Sequence, residues 1–473
     1  MLTITKNGKT ITFYSYKGGV GRSMALINVA CLLAKKGKKV LMIDWDLEAP
    51  GLESYFNGEV KKTDLGLVDL ILDSQEFLKV DVNNNETNLI EYLDSNLQRF
   101  IKTNLKLKIQ KNLKGKNKEN NAFTLDLIKA GKFDDNYTER LSSINWMEFY
   151  AKTPEYFRTL AQHLEKEYDY ILIDSRTGLA DTSGVCTMLM PSVLVLVFAL
   201  NQQNIDGVIK VAKQSLEYRF GSHDERNLNI FPLPSRIETA NSEKYQEWED
   251  NFKNGFENLF KNVFHLERCE LRNYFDIAKI KYDSSNSYGE NVPVLVQNLN
   301  NSNLISYDYD QFTRILDREI PIWEYLSDEE IKLKESKIET LEKQKNYKET
   351  IELLELISPY KIDDSSYLVK YSHNLIEYSK KLDDNHLKNI LFERAYELSS
   401  KQNDLTGDSY NLACVSSLLN KKAEAISLIN LILEDEENLE YYKELIINDL
   451  GYDFVNIKDE PKFKKLLKKY HIQ

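Results

Sequence analysis

Apolar positions along this 473-residue chain follow two regimes that meet near residue 326. In the first, short continuous apolar runs alternate with stretches of helical spacing. Ile11 to Tyr16 is followed by a helical segment from Met24 to Lys35, and Val40-Leu41-Met42-Ile43 reads as a fully buried strand. Further on, the helical stretch Pro154 to Glu167 leads into Tyr170-Ile171-Leu172-Ile173. Val193 to Leu200 is too short to span a bilayer and right for a central strand, and Asn229-Ile230-Phe231 closes the series. This alternation predicts an α/β domain with a mostly parallel sheet covered by helices on both faces.

Beyond Leu326 glycine and proline nearly vanish, and amphipathic helical segments follow one another across short polar breaks. They run Asp328 to Gln344, Tyr347 to Ile357, Ser366 to Lys380, His386 to Ser399, Ser409 to Leu419, Ala423 to Leu433 and Leu439 to Ile447. Helix pairs recurring at about thirty to forty residues predict an all-α helical repeat domain. Its clearest unit is Tyr410-Asn411-Leu412-Ala413 with Ala425 and Ile429, where small residues let two helices approach closely. That unit looks like a tetratricopeptide (TPR) repeat, and three or four degenerate repeats are expected. The expected domains are therefore 1–325 and 326–473.

Candidate chemistry sits between the first strand and the first helix, in Tyr16-Lys17-Gly18-Gly19-Val20-Gly21-Arg22-Ser23. A strand, a glycine-rich turn and a helix in that order build a phosphate cradle from backbone N–H groups and the positive end of the helix. Gly18, Gly19 and Gly21 keep side chains clear so that the main chain can wrap an anion. Ser23, the first hydroxyl after the basic residue, is where such loops ligate Mg²⁺. The common form G-x-x-x-x-G-K-[ST] is broken twice, by Tyr16 at the first glycine and Arg22 at the lysine.

As it stands, the loop resembles the deviant Walker A signature K-G-G-x-G-K-[ST] of the ParA/MinD-type P-loop ATPases of the SIMIBI class. The resemblance implies ATP and Mg²⁺ as cofactors and a nucleotide-binding stretch of Lys17, Gly18, Gly19, Val20, Gly21, Arg22, Ser23 and Met24. Lys17 falls on the signature lysine. In this family a strand ending in D-x-D and followed by P-G-L forms the first switch. Asp44-Trp45-Asp46 and Pro50-Gly51-Leu52 match it, so Asp44 would orient or polarise the attacking water, with Asp46 beside it. Tyr170 to Asp174 matches Walker B, whose carboxylate holds magnesium. The implied metal set is Ser23, Asp44 and Asp174, and the implied catalytic set is Lys17, Asp44 and Arg22. Ser175-Arg176-Thr177-Gly178 occupies the second switch, where Arg176 either meets the γ-phosphate or pairs with Asp181. The loop after the last strand closes over adenine in related ATPases, a role that would fall to Pro234 or Arg236. Arginine for lysine at position 22 exchanges a compact charge for a planar fork. Phosphate binding should survive that change, whereas transition-state stabilisation depends on finer placement, which implies slow turnover.

A net charge of −12 argues against a general nucleic-acid surface. The segment from Val60 to Trp146 is expected as an insertion, and its middle carries Lys102, Lys106, Lys108, Lys111, Lys114, Lys116 and Lys118. A solvated helix or loop is the plain reading of those lysines, and a contact for DNA, RNA or an acidic partner is the sharper one. The cysteines Cys31, Cys186, Cys269 and Cys414 are scattered without a C-x-x-C pair, which fits a reducing cytoplasm and gives no zinc or disulfide framework. Met1 to Lys6 lacks the apolar core of a signal peptide, so a cytoplasmic protein is expected. Near the end, Phe463, Leu466, Leu467 and Tyr470 share one face of a helix whose other face is lysine-rich. MinD-type proteins end in a membrane-binding helix of that kind, but about three turns suit a final helix capping the repeats better.

The family resemblance implies an ATP-dependent homodimer in which Lys17 reaches the partner's nucleotide, with the repeats binding a protein partner. Such fusions look like bacterial signalling or antiviral-defence components. The alternatives are a nucleotide-binding scaffold without significant hydrolysis, and a DNA-partitioning ATPase that binds DNA nonspecifically. A bacterial tyrosine kinase uses a related loop, but no terminal tyrosine cluster is present here.

Overall fold

The computed structural model describes residues 8–472, apart from 57, 81–85, 108–122, 154, 179–183, 223–225, 239–241, 285–290, 319 and 436–437. Lys108, Lys111, Lys114, Lys116, Lys118, Asp181 and Met1 to Lys6 lie outside the described residues. The chain divides into two compact units, Met1–Tyr325 and Leu326–Gln473.

The first unit is built on seven strands: β1 Lys9–Tyr14, β2 Val40–Asp44, β3 Lys102–Leu105, β4 Leu125–Ile128, β5 Tyr170–Asp174, β6 Val193–Phe198 and β7 Asn229–Pro234. Their spatial order is β3-β4-β2-β5-β1-β6-β7, parallel throughout except for the β3–β4 pair. Its helices are α1 Arg22–Lys35, α2 Leu67–Val80, α3 Glu86–Asn96, α4 Tyr137–Ser143, α5 Trp146–Lys152, α6 Tyr156–Glu167, α7 Gln202–Gly221, α8 Ser242–Phe264, α9 Arg272–Ile277, α10 Pro293–Val296 and α11 Ile305–Arg318. Every residue of β2, β5 and β6 is buried, as expected of strands covered on both faces. Helix α1 is buried continuously from Ala25 to Ala34, so it carries no polar stripe and lies wholly within the protein.

Two features depart from the sequence pattern. The segment expected as an insertion supplies β3 and β4, and β4 pairs in parallel with β2 through Leu41↔Asp126 and Ile43↔Ile128. It is therefore part of the central sheet, hidden in the sequence because Leu125-Asp126-Leu127-Ile128 is a single short run. The last strand continues through Pro232 and Pro234 because β7 is an edge strand. Both prolines turn their missing N–H away from β6, which the edge tolerates. Their carbonyls are satisfied from outside the sheet, by the Tyr274 hydroxyl at 2.8 Å and by the Ile280 N–H at 2.9 Å.

The second unit is all helical: α12 Asp328–Lys343, α13 Tyr347–Lys361, α14 Ser365–Lys380, α15 Asn385–Thr406, α16 Tyr410–Leu418, α17 Lys422–Leu433, α18 Leu439–Asp449 and α19 Pro461–Lys469. A capping box between Ser327 and Glu330 starts α12. Ala413 on α16 and Ala425 on α17 are both fully buried. Phe463 and Leu466 of α19 enter the same apolar cluster, with Phe454, Ile457 and Ile446. Among the described residues, no helix is long and apolar enough to cross a membrane. All four cysteines are free and buried.

Candidate nucleotide site at the ends of the central strands

Strand register brings the site together. Asp174, the last residue of β5, is opposite Asp44 on β2 and Phe13 on β1. Two acids far apart in the chain thus become neighbours at the carboxyl edge of the sheet, where open α/β sheets bind ligands. Between them, the Trp45 N–H donates to the Asp174 carbonyl at 2.9 Å, extending the ladder past the strand ends.

The loop after β1 turns through two left-handed residues, Gly19 at φ +76° and Gly21 at φ +91°. A Cβ at Gly18 or Gly19 would meet no protein atom within 4 Å, whereas one at Gly21 would lie 3.3 Å from the Ser235 hydroxyl. Helix α1 starts from Gly21 without a side-chain cap and without an acid in its first turn. Its leading N–H groups have no capping oxygen from that residue, an arrangement that an anion completes. Val20 is buried beneath the loop and Met24 is half-buried. Lys17 is exposed, its Nζ 5.9 Å from the centre of the neighbouring Tyr16 ring.

Tyr16 stands where the common loop has its first glycine, and its side chain packs away from the turn. Its ring lies against Gly207 of α7, where an added Cβ would come within 2.2 Å of the ring. A glycine-to-alanine change in a helix ordinarily gains about 1 kcal/mol. Here Gly207→Ala must displace a whole ring, so a net loss of about 1–3 kcal/mol is expected, along with weaker nucleotide affinity. Thermal melting checks the sign, and a higher melting temperature would contradict this packing.

The charged groups converge on Asp174. Arg22 Nε donates to Asp174 Oδ1 at 2.6 Å, Arg22 Nη2 donates to Asp46 Oδ2 at 2.9 Å, and the Ser23 hydroxyl donates to Asp174 Oδ2 at 2.6 Å. Arg22, expected in the nucleotide-binding stretch, is thus turned onto the acids, because a guanidinium fork spans two carboxylates and an ammonium does not. Arg22 is only 7% exposed. Burial works against its charge, but Asp174 and Asp46 outweigh that and hold its pKa above the ordinary value.

Asp44 has both oxygens engaged. Oδ1 accepts from the Asp46 N–H at 3.2 Å, and Oδ2 accepts from the Gly51 and Leu52 N–H groups, both at 3.0 Å. It anchors the turn expected as the first switch, and of the expected metal set Ser23 and Asp174 are the pair that face each other. Burial, with the charge of Asp174 adding to it and the Gly51 and Leu52 N–H groups opposing, pushes the Asp44 carboxyl up to about 7. A carboxyl titrating near neutrality is suited to taking or holding a proton.

The second expected switch touches the first. Arg176 pairs with Glu48, while Asp181, its other expected partner, lies outside the described residues. The Tyr14 hydroxyl donates to the Gly178 carbonyl at 3.2 Å, at a left-handed glycine with φ +79°. Pro234 is buried in β7, and Arg236 is exposed at φ +59° with its guanidinium 5.5 Å from the Tyr282 ring centre. The residue that reaches the loop is Ser235, between them. Ser235, Gly207 and Trp45 escaped the sequence reading; only Trp45, an aromatic between two aspartates, carried a local signal.

The donor set fits a hard divalent cation and a polyphosphate: a hydroxyl and a carboxylate facing each other beside an uncapped helix start. Residues 8–218 match the family model for an AAA domain, AAA_31. An uncharacterized ATP-binding protein of Methanocaldococcus jannaschii is 37% identical over 81 residues, covering 17% of this chain and 30% of the relative. A virulence plasmid ParA family protein of Chlamydia trachomatis is 36% identical over 72 residues, covering 15% of this chain and 27% of the relative. The chain thus spans less than a third of the length of these curated relatives. A putative plasmid partition protein from Borrelia burgdorferi, solved bound to AMPPNP, aligns with 66% of this chain and 100% of its own at 20% identity and a TM-score of 0.38. Residues 8–218 of the amino-terminal unit thus match an AAA-domain family model, and parts of the chain are similar to an ATP-binding protein and to a ParA family protein.

Proposed function

We propose that this chain is an ATP-dependent switch, in which the loop of residues 16–24 binds ATP with Mg²⁺ and two copies dimerise around the nucleotide. The observation that carries this reading is the left-handed glycine turn running into an uncapped helix, beside Ser23 in contact with Asp174. Ser23 and Asp174 would hold the metal, which when bound supplies positive charge across the β- and γ-phosphate oxygens. Backbone N–H groups of Gly18 to Met24 bind and orient the phosphates. The grip of Asp44 on the Gly51 and Leu52 N–H groups ties the first switch to the end of β2, next to Asp174. Arg22 is occupied by acids, which supports slow hydrolysis. Lys17 is exposed and away from these acids, which supports a role across the dimer interface. Residues 326–473 would act as TPR-like repeats that hold a protein partner, and the buried free cysteines suit a reducing cytoplasm.

Nucleotide at a hundred times its Kd contributes about 2.7 kcal/mol per site toward the form that binds it. Mass photometry with ATP, ADP and no nucleotide is the test. We expect dimers of the wild type with ATP alone, and monomers of Lys17→Ala that still take up ATP in calorimetry. Assembly indifferent to ATP and to Lys17 would leave a scaffold, and no uptake of nucleotide by folded protein would remove the reading altogether.

A further inference from the structure

We infer that Arg22 is a built-in counter-ion that competes with the divalent cation for Asp174, so that metal entry releases Asp46 and with it the turn after β2. This rests on the nucleotide–metal reading above and goes beyond it by assigning how the metal acts on this chain.

Three observations lead here. First, both oxygens of Asp174 are engaged by groups of α1, Oδ1 accepting from Arg22 and Oδ2 from Ser23. A cation held by Ser23 and Asp174 shares these same oxygens, and its charge then opposes the guanidinium beside it. Second, Arg22 joins two separate elements, Asp174 at the end of β5 and Asp46 just beyond β2. Weakening one arm loosens the other, because the same planar fork supplies both. Third, Arg22 is 7% exposed, yet its Nη1 is buried with no hydrogen-bond partner. An unsatisfied charged donor in a buried place marks an arrangement that a competing one can displace. The charges facing Arg22 are Asp174 and Asp46, with Asp44 next to both; the nearby Arg176 is taken by Glu48.

A lysine at this position would offer one point charge and hold one acid at a time. Competition should then fall, and the metal should bind more tightly. The test uses the full chain and titrates Mg²⁺ into protein held with ADP, reading ADP uptake by calorimetry. Removing one charge-assisted hydrogen bond from the competing state should lower the Mg²⁺ concentration at half effect by about tenfold in Arg22→Lys. Amide hydrogen exchange on the wild type gives a second reading that needs no variant. Exchange over residues 46–52 should quicken when Mg²⁺ joins ADP and stay unchanged with ADP alone. An unchanged or higher Mg²⁺ requirement in Arg22→Lys, or exchange at 46–52 that ignores the metal, overturns the inference while leaving nucleotide binding intact. Absence of any ADP uptake by the wild type, with or without Mg²⁺, overturns both.

Discussion

Trp45→Ala is expected to destabilise the amino-terminal unit by about 3–5 kcal/mol and to abolish measurable nucleotide uptake. Trp45 is 0% exposed and sits among Phe157, at 5.9 Å and edge-on, and Trp146, at 6.4 Å. It lies between Asp44 and Asp46, so its buried indole fixes the stretch of backbone that carries both carboxylates. The cavity left by alanine would let the whole turn shift, and a misplaced pair of acids no longer matches a metal and a phosphate. Trp45→Phe is the informative control. The buried indole N–H has no hydrogen-bond partner, so phenylalanine removes an unsatisfied donor while keeping most of the packing. Phenylalanine should therefore retain binding that alanine loses. Urea denaturation followed by circular dichroism, with calorimetry beside it, measures both effects; an alanine variant as stable as the wild type would contradict this role.

Phe463→Ala should be nearly as damaging to the carboxy-terminal unit, again about 3–5 kcal/mol. Phe463 is 0% exposed, its ring 6.1 Å from that of Phe454, in a cluster with Ile446, Ile457 and Leu466. The lysines Lys462, Lys464, Lys465, Lys468 and Lys469 face solvent on the other side of α19. An apolar face committed to the unit's own core is not free to enter a lipid surface. Lys465→Ala should accordingly be nearly neutral, and the wild type should stay in the supernatant with anionic liposomes whether or not ATP is present. ATP-driven co-sedimentation, or a Phe463→Ala variant that melts with the wild type, would show that α19 detaches.

The parallel sheet was legible because β2, β5 and β6 are continuous apolar runs, the sign of strands buried on both faces. The glycine loop was legible for a local reason too: Gly19 and Gly21 stand where the backbone is left-handed. What stayed hidden depends on pairing between distant segments. That Arg22 would turn to Asp174 and Asp46 follows from the register that sets Asp44 against Asp174, which no local pattern reveals. The same holds for Tyr16 on Gly207 and for Ser235 against Gly21. The loop after the last strand was read at Pro234 and Arg236, one residue to either side of Ser235, because proximity to a strand end does not say which side chain turns inward. Segment 60–146 was set apart because charge and asparagine dominate its middle, although a four-residue strand is enough to join it to the sheet.

Strand β1 leaves the ribosome before both of its neighbours, for it lies between β5 and β6, pairing Lys9 with Tyr170 and Ile11 with Val193. Until about 150 further residues have been made its apolar residues have no partner strand, and contacts of such sequence separation close slowly. The phosphate loop that hangs from it therefore cannot take shape until the nascent chain has grown past Phe198. Before that moment the growing polypeptide exposes an adhesive edge that invites chaperones or aggregation.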